Sequence, residues 1–261
     1  MCVIIASPKG VKIPDELLRE AACSNRDGAG IAWIKDGKVH WVKGLMKIDD
    51  MLKAYQSVTG PHAVHFRLAT HGGNTPLLTH PFPVTDQVRL DLKGSGFKLL
   101  MHNGVYTDWS EDLKASIISS GKPCPDGPWS DTRGVAFVVK QHGDAILNLM
   151  GSSRYLLLSG DKAHAFSFFG DWHEYKDFVF SNKNSNIAFP IATYHRSCYT
   201  PPTTTVSAPA APTVGSGTPT TTGQNGTNAT VTKSSSAVWR HFTDDGRFKQ
   251  PDDSTAIVPV T

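Results

Sequence analysis

Long apolar runs, cysteine and an excess of one charge are all scarce in this chain of 261 residues. No apolar stretch approaches the roughly 20 residues that a membrane-spanning helix needs, so we expect no membrane association. The four cysteines are too few for a disulfide scaffold, and the N-terminus lacks the cationic start of a signal peptide. Together these features predict reduced thiols in a cytoplasm.

The charge balance argues against a nucleic-acid partner. There are 26 Lys and Arg residues against 23 Asp and Glu, a formal net charge of +3, and no long basic block. Hydrophobic residues make up 39% of the chain, which is enough for one sizeable core.

The composition changes sharply near Thr200. Residues 201–236 are mostly Thr, Pro, Ser, Ala, Gly and Asn, with a single charge at Lys233. Such a segment cannot bury enough apolar surface to offset the entropy cost of ordering it. We therefore predict a folded domain over residues 1–199, a disordered linker over 200–236 and a short tail over 237–261, which is a possible docking segment.

Within the predicted domain, short apolar strands alternate with helical patterns. Asp36-Gly37 lies between two β-rich segments and predicts a hairpin, because both residues tolerate positive φ. Ala63–Ala69 is also β-rich, and Asp131 is placed to cap a helix. About eight strands and three or four helices predict a layered α/β or α+β domain.

Cys2 carries the first chemical signal. If Met1 is removed, which a small second residue permits, Cys2 has both a thiol and a free α-amine. Their reference pKa values are about 8.5 and about 7.7–8.0, so one residue supplies a nucleophile and the base that activates it. The alternative is a structural cysteine, but the apolar strand Val3–Ala6 would hold the terminus rigidly at a sheet end.

A second polar group follows the predicted strand at 63–69. Arg67, Thr70 and His71 precede two glycines. An arginine fork binds a carboxylate in bidentate fashion, so Arg67 suits an amino-acid or acidic ligand. A surface salt bridge is the alternative.

Two further candidates lie at the ends of elements. Asn103 and Gly104 follow the apolar strand Phe97–Leu100, where an Asn side chain and a Gly N–H can converge on one developing negative oxygen. An ordinary Asn-Gly turn has the same sequence. Asp131, at a predicted helix start, can accept from a ligand ammonium or simply cap the helix.

In this order, the motifs resemble the glutaminase domain of the class II glutamine amidotransferases, which are N-terminal-nucleophile hydrolases. The resemblance covers about residues 2–185 and rests on Cys2, Asp27–Ala32, Arg67–Gly72, His80-Pro81, His102–Gly104 and Ser130–Thr132. It implies a four-layer α/β/β/α sandwich and an enzyme that needs neither a cofactor nor a metal ion.

The resemblance also implies how the reaction proceeds. Cys2 would attack the side-chain amide carbon of glutamine, with its own α-amine as proton carrier through a water. Asn103 and the Gly104 N–H would stabilise the oxyanion. Ammonia would leave, and water would release glutamate from the thioester.

The substrate-binding residues implied by the resemblance lie at the other end of glutamine. Arg67 would bind the α-carboxylate, with Thr70 and His71 nearby, and Asp131 would bind the α-ammonium. One departure is Leu68, where many family members have Trp.

The predicted linker and the short tail over 237–261 leave no room for a synthase domain, so we expect a free-standing glutaminase domain, similar to small forms that include phage-encoded ones. Family members usually continue into a synthase domain that consumes the ammonia, and we expect here an acceptor on a separate synthase or acceptor protein. If a phage encodes the chain, the compartment is the host cytoplasm.

Three other functions compete with glutamine hydrolysis. A metallohydrolase would use the many histidines between His62 and His102, but no His-Glu-x-x-His helix occurs, and His62 and His65 fall on opposite faces of a strand. A γ-glutamyl amide hydrolase would use the same residues on a peptide or metabolite. An inactive glutamine-binding partner protein would not need the nucleophile.

Overall fold

The computed structural model describes residues 2–70 and 72–182, so His71 and the predicted linker and tail lie outside the described residues. The strands are β1 (Val3–Ser7), β2 (Ala29–Lys35), β3 (Lys38–Leu45), β4 (His62–Phe66), β5 (Phe82–Pro83), β6 (Lys93–Gly96), β7 (Lys98–Asn103), β8 (Arg154–Ser159), β9 (Phe166–Phe169), β10 (His173–Tyr175) and β11 (Phe178–Phe180). The α-helices are α1 (Asp15–Ser24), α2 (Ile48–Gln56), α3 (Trp109–Ser120) and α4 (Asp131–His142). None of these helices is long and apolar enough to cross a membrane.

The strands form two antiparallel sheets. The first has the order β10-β11-β1-β4-β2-β3-β6, and the second has the order β5-β7-β8-β9. β1 lies inside the first sheet, paired with β11 on one side and β4 on the other. Because both edges of β1 are hydrogen-bonded, the chain is held firmly right after Cys2.

Three hydrophobic clusters separate four layers. One joins α1 and α2 to the first sheet, for example through Leu18 and Met51. A second fills the space between the two sheets, with Ile4 facing Leu156. A third joins the second sheet to α3 and α4. The predicted α+β class and the α/β/β/α layering are therefore confirmed.

The alternation of side chains along β1 positions the nucleophile. Val3 and Ile5 pack in the cluster under the helices, whereas Ile4 and Ala6 pack between the two sheets. This is the period of two that a strand imposes. The same period puts the side chain of Cys2 on the side of Ile4, at the end of the space between the sheets.

The hairpin prediction is confirmed, and three short strands were not predicted. Asp36 and Gly37 have φ of 51° and 68°, as the turn between β2 and β3 requires. β5, β6 and β10 are missing from the prediction because two to four residues are too few to show a period.

Two predicted boundaries are wrong. The strand predicted over 63–69 ends at Phe66, because after Arg67 the backbone turns and Ala69 N–H donates to the Asp27 carboxylate instead of a neighbouring strand. The cap of α4 is Ser130, whose hydroxyl accepts from the N–H of Arg133, and Asp131 is the first helical residue.

Gly30 shows how closely the site loop packs on the first sheet. A Cβ at this position would lie 1.8 Å from the carbonyl oxygen of His80. We expect Gly30→Ala to lower the free energy of unfolding by about 3 kcal/mol, because the clash is with backbone that cannot move aside. Gly96→Ala, whose Cβ would make an ordinary 3.7 Å contact with Trp41, is the control. Equal urea midpoints for the two variants would contradict this packing.

Candidate active site

One cleft collects most of the predicted site residues. It opens where the starts of β1 and α4 approach the loops after β4 and β7. Its walls are Cys2, Arg67, Leu68, Thr70, His80, His102, Gly104, Ser130, Asp131 and Thr132. Of the predicted residues, His71 lies outside the described residues and Asn103 lies behind the wall.

The Cys2 thiol is nearly buried and contacts one backbone segment. Its sulfur accepts from the N–H of Leu68 at 3.4 Å and lies 3.5 Å from the Leu68 carbonyl oxygen. Burial raises the pKa of the Cys2 thiol, and the Leu68 backbone contact and the Arg67 charge oppose that rise. A base is therefore needed to make the thiolate at neutral pH.

Arg67 is buried at the cleft wall, where the loop after β4 is fixed from two sides. Its Nη1 donates to the carbonyl oxygen of Gly73 at 2.8 Å. The Asp27 carboxylate holds the same loop, accepting from Ala69 N–H at 2.7 Å and from Asn74 Nδ2 at 2.9 Å. The guanidinium charge is thus held in a preformed loop, which lowers the entropy cost of binding an anion.

Asp131 adds a carboxylate to the cleft wall. Its Oδ1 accepts from the N–H of Thr132 at 2.7 Å, and its Oδ2 accepts from the N–H of Tyr106 at 3.3 Å. His102 Nδ1 lies 3.6 Å from Oδ2 and 3.0 Å from the Thr132 hydroxyl. Two main-chain donors therefore orient this carboxylate at the start of α4 without cancelling its charge.

Gly104 lines the cleft, whereas Asn103 is buried next to it. Gly104 lines it, and a Cβ there would lie 2.2 Å from the Ser153 hydroxyl oxygen, so only glycine fits. Asn103 is fully buried at the end of β7, and its amide nitrogen donates to the side chains of Ser181 and Asn182.

Three buried histidines lie at or behind the cleft wall: His80 and His102 line the cleft, and His65 lies behind them. The rings of His65 and His80 are 3.9 Å apart, and His65 Nε2 lies 3.2 Å from the His102 carbonyl oxygen. Burial lowers the pKa of His65 to about 3 and that of His102 to about 4, and it holds the pKa of His80 well below its usual range. All three are therefore neutral at pH 7 and serve as uncharged packing and hydrogen-bonding groups.

The histidines of β4 do not share a partner. His62 bonds to the Tyr55 hydroxyl at 2.7 Å on the helix side of the first sheet, whereas His65 faces the second sheet. Within residues 2–70 and 72–182, no three His, Cys, Asp or Glu side chains are grouped so that they could hold a metal ion.

The neutral histidines predict an acid-sensitive fold. Between about pH 6.5 and pH 4, the unfolded chain takes up protons on His65 and His102 that the folded protein does not bind, so the free energy of unfolding falls as pH falls. Each residue contributes up to about 1.4 kcal/mol per pH unit. Urea unfolding across this range should show a shallower slope for His102→Gln and an unchanged slope for the exposed His164→Gln. A flat wild-type profile would contradict it.

Several site residues were not predicted from the sequence. The backbone of Leu68 contacts the nucleophile, Asp27 fixes the arginine loop, and Ser181 and Asn182 bond to Asn103. No local pattern marks them, because their partners are distant in the chain. Asp27 and Leu68 lie within motifs of the resemblance, and Ser181 and Asn182 end the run Phe178–Asn182, which resembles the closing strands of the family domain. None of the four was assigned a role in the site from the sequence.

The comparisons with known proteins agree with the motifs. No family model matches the chain. In sequence it is similar to the glutamine–fructose-6-phosphate aminotransferase (isomerizing) of Corynebacterium diphtheriae, 29% identical over 136 residues, and to that of Pyrococcus horikoshii, 30% identical over 148 residues. The matches cover 46% and 54% of this chain but 20% and 23% of the relatives, so the chain spans about a fifth of their length. These relatives confirm the resemblance to class II glutamine amidotransferases.

Two solved structures are similar in fold. One is an allosteric regulatory enzyme of purine biosynthesis, with a TM-score of 0.49 and 20% identity. The other is the glutamine phosphoribosylpyrophosphate amidotransferase of B. subtilis in complex with ADP and GMP, with a TM-score of 0.46 and 19% identity. Each match covers 69% of this chain and 41% of the other.

Proposed function

We propose that this chain, which resembles the glutaminase domain of class II glutamine amidotransferases, hydrolyses the side-chain amide of glutamine to glutamate and ammonia. The observation that carries the proposal is one cleft that joins the thiol of Cys2, the guanidinium of Arg67 and the carboxylate of Asp131. A free amino acid carries a carboxylate and an ammonium on one carbon. A cation, an anion and a nucleophile that line the same cleft match that pattern.

The chemistry follows from the state of the thiol. Burial raises the pKa of Cys2, and the histidines near it are neutral. The α-amine freed by removal of Met1 is the base that takes the thiol proton, through a water. The sulfur then bonds to the amide carbon, the proton passes to the leaving nitrogen, and ammonia departs from a γ-glutamyl thioester that water hydrolyses.

The oxyanion of each tetrahedral intermediate lies toward the end of β7. The Gly104 N–H is the cleft-side donor, and the Asn103 amide is the second donor of the proposed pair. Loss of one such donor costs about 10²–10³-fold in rate. Thr70 at the cleft rim and His71 complete the proposed substrate contacts.

Hydrolysis of a γ-glutamyl amide in a peptide or metabolite is the second candidate, because Arg67 and Asp131 recognise only the half that the substrates share. One observation favours this second candidate: the side chain of Leu68, whose backbone contacts the Cys2 sulfur, is 37% exposed and leaves part of the cleft rim open to solvent.

The test measures glutamate released from glutamine and from a γ-glutamyl anilide by the purified full chain. We expect release from glutamine, together with an intact mass that lacks Met1. Faster turnover of the anilide would favour the second candidate. No glutamate from either substrate would refute both, and a retained Met1 would remove the proposed base.

The ammonia is proposed to be used by a second protein. We place the glutaminase in residues 1–199, followed by a linker over 200–236 and a docking segment over 237–261 that recruits a separate synthase or acceptor protein. The four cysteines in 261 residues suit a reducing cytoplasm, and we place the reaction there.

A further inference from the structure

We propose that Asn182 is a positioning residue that ties the nucleophile to the oxyanion corner across the gap between the two sheets. Its side chain contacts both partners: Nδ2 donates to the Cys2 carbonyl oxygen at 3.0 Å, and Oδ1 accepts from the amide nitrogen of Asn103. The inference rests on the proposed function, because it assigns a role in that reaction.

The need for such a link follows from the topology. Cys2 precedes β1 in the first sheet, and Asn103 ends β7 in the second, so no backbone ladder joins them. Ile4 of β1 and Met101 of β7 lie in one apolar cluster between the sheets. The polar contact of His65 Nε2 with the His102 carbonyl oxygen joins β4 to β7 and does not involve β1. Apolar packing fixes the spacing of the layers but has no directional preference, so it does not set the angle at which the two strand ends meet.

Ser181 completes the link from the same strand end. Its hydroxyl accepts from the N–H of Ile4 at 2.9 Å and from the Asn103 amide at 2.8 Å, and it donates to Asn182 Oδ1 at 3.1 Å. Its own N–H donates to the Ile4 carbonyl oxygen at 3.1 Å. The end of β11 therefore holds the start of β1 and the end of β7 at once.

The donor and acceptor chemistry permits one orientation of each amide. A backbone carbonyl oxygen only accepts, so the nitrogen of Asn182 must face Cys2 and its oxygen must face Asn103. The nitrogen of Asn103 must then face Asn182 and Ser181. The Oδ1 of Asn103 is then buried with no hydrogen-bond partner among the described residues. An unpaired buried acceptor lowers the free energy of unfolding.

The link has a kinetic consequence. Asn182 and Ser181 both accept from the amide nitrogen of Asn103, so these two contacts fix where the proposed oxyanion donor lies. Asn182 touches neither Arg67 nor Asp131 in any hydrogen bond that the structure records. Loss of its side chain should therefore affect the chemical step more than substrate binding.

The experiment compares Asn182→Ala and Asn182→Asp with the wild type and with Gln141→Ala, which removes an amide at the far end of α4. We expect both Asn182 variants to lower kcat by about 10-fold to 10²-fold, with KM changed less than about threefold. Asn182→Asp keeps the size of the side chain and the oxygen that accepts from Asn103, but it replaces the donor to the Cys2 carbonyl oxygen with an oxygen. It therefore tests the loss of that donor alone, and it serves as the test if Asn182→Ala does not fold. Gln141→Ala should match the wild type.

Two further measurements separate positioning from general damage. In an Asn103→Ala background, Asn182→Ala should lower kcat much less than it does alone, because it acts through Asn103. Deuterium uptake at the Ile4 amide should rise in Asn182→Ala and not in Gln141→Ala. An unchanged kcat in a folded Asn182 variant, or a loss confined to KM, overturns the proposal. If the wild type releases no glutamate, the proposed function is wrong. In that case, deuterium uptake at the Ile4 amide still tests Asn182, and equal uptake in Asn182→Ala and the wild type would overturn its positioning role.

Discussion

Cys2→Ala should abolish glutamate release, with kcat reduced by at least about 10³-fold. The reason is that no other group in the cleft can form the acyl intermediate. The other cleft residues include Thr70, Ser130 and Thr132, which carry hydroxyl groups. A hydroxyl group is a far weaker nucleophile than a thiolate at neutral pH. The measurement is glutamate formed from glutamine by variant and wild type at equal concentration.

A matched control comes from the exposed Cys124, whose replacement by alanine should leave the rate unchanged. The wild-type rate should also rise with pH as the α-amine loses its proton, around its reference pKa of about 7.7–8.0. Equal rates for Cys2→Ala and the wild type would rule out the thioester mechanism. A rate that is insensitive to alkaline pH would rule out the amine as the base.

Most strands and helices of this fold could be predicted because they depend on local patterns, whereas the four-layer arrangement was implied by the family resemblance. A short run of apolar residues marks β1, the Asp36-Gly37 pair marks the hairpin, and both are confirmed. The site residues Cys2, Arg67 and Asp131 could be proposed because each lies beside a strand end or a helix start. The structure brings these three to one cleft.

The remainder depends on contacts between distant parts of the chain. Asn182 lies 180 residues from Cys2 in sequence, and nothing in the run Phe178–Asn182 distinguishes its last residue from an ordinary strand end. Asp131 was predicted as the N-cap of α4, but Ser130 is the N-cap in the structure. Ser and Asp are both good N-cap residues, so the sequence alone could not decide between them. Such choices are made by tertiary structure and leave no local pattern.

Asp131→Asn should lower kcat/KM for glutamine by roughly 10²-fold, or about 3 kcal/mol. The change removes the charge that faces the α-ammonium and keeps an oxygen that can accept from the Thr132 N–H. The exposed Asp108→Asn is the control and should leave kcat/KM unchanged. Thermal unfolding of both variants shows whether the α4 start is intact.

Asp131→Asn can also be combined with a change in the substrate, to test whether Asp131 binds the α-ammonium of glutamine. Glutaramate is glutamine without its α-ammonium, so the wild type should prefer glutamine to glutaramate by roughly 10²-fold in kcat/KM. In Asp131→Asn the preference should fall to within about threefold, because protein and substrate then each lack one half of the same ion pair and the two losses are not additive. If Asp131→Asn weakens both substrates equally, the carboxylate acts on the fold or on Cys2. The α-ammonium would then need another acceptor on the same wall, and the Arg67–Asp131 pair would no longer explain why the site takes a free amino acid.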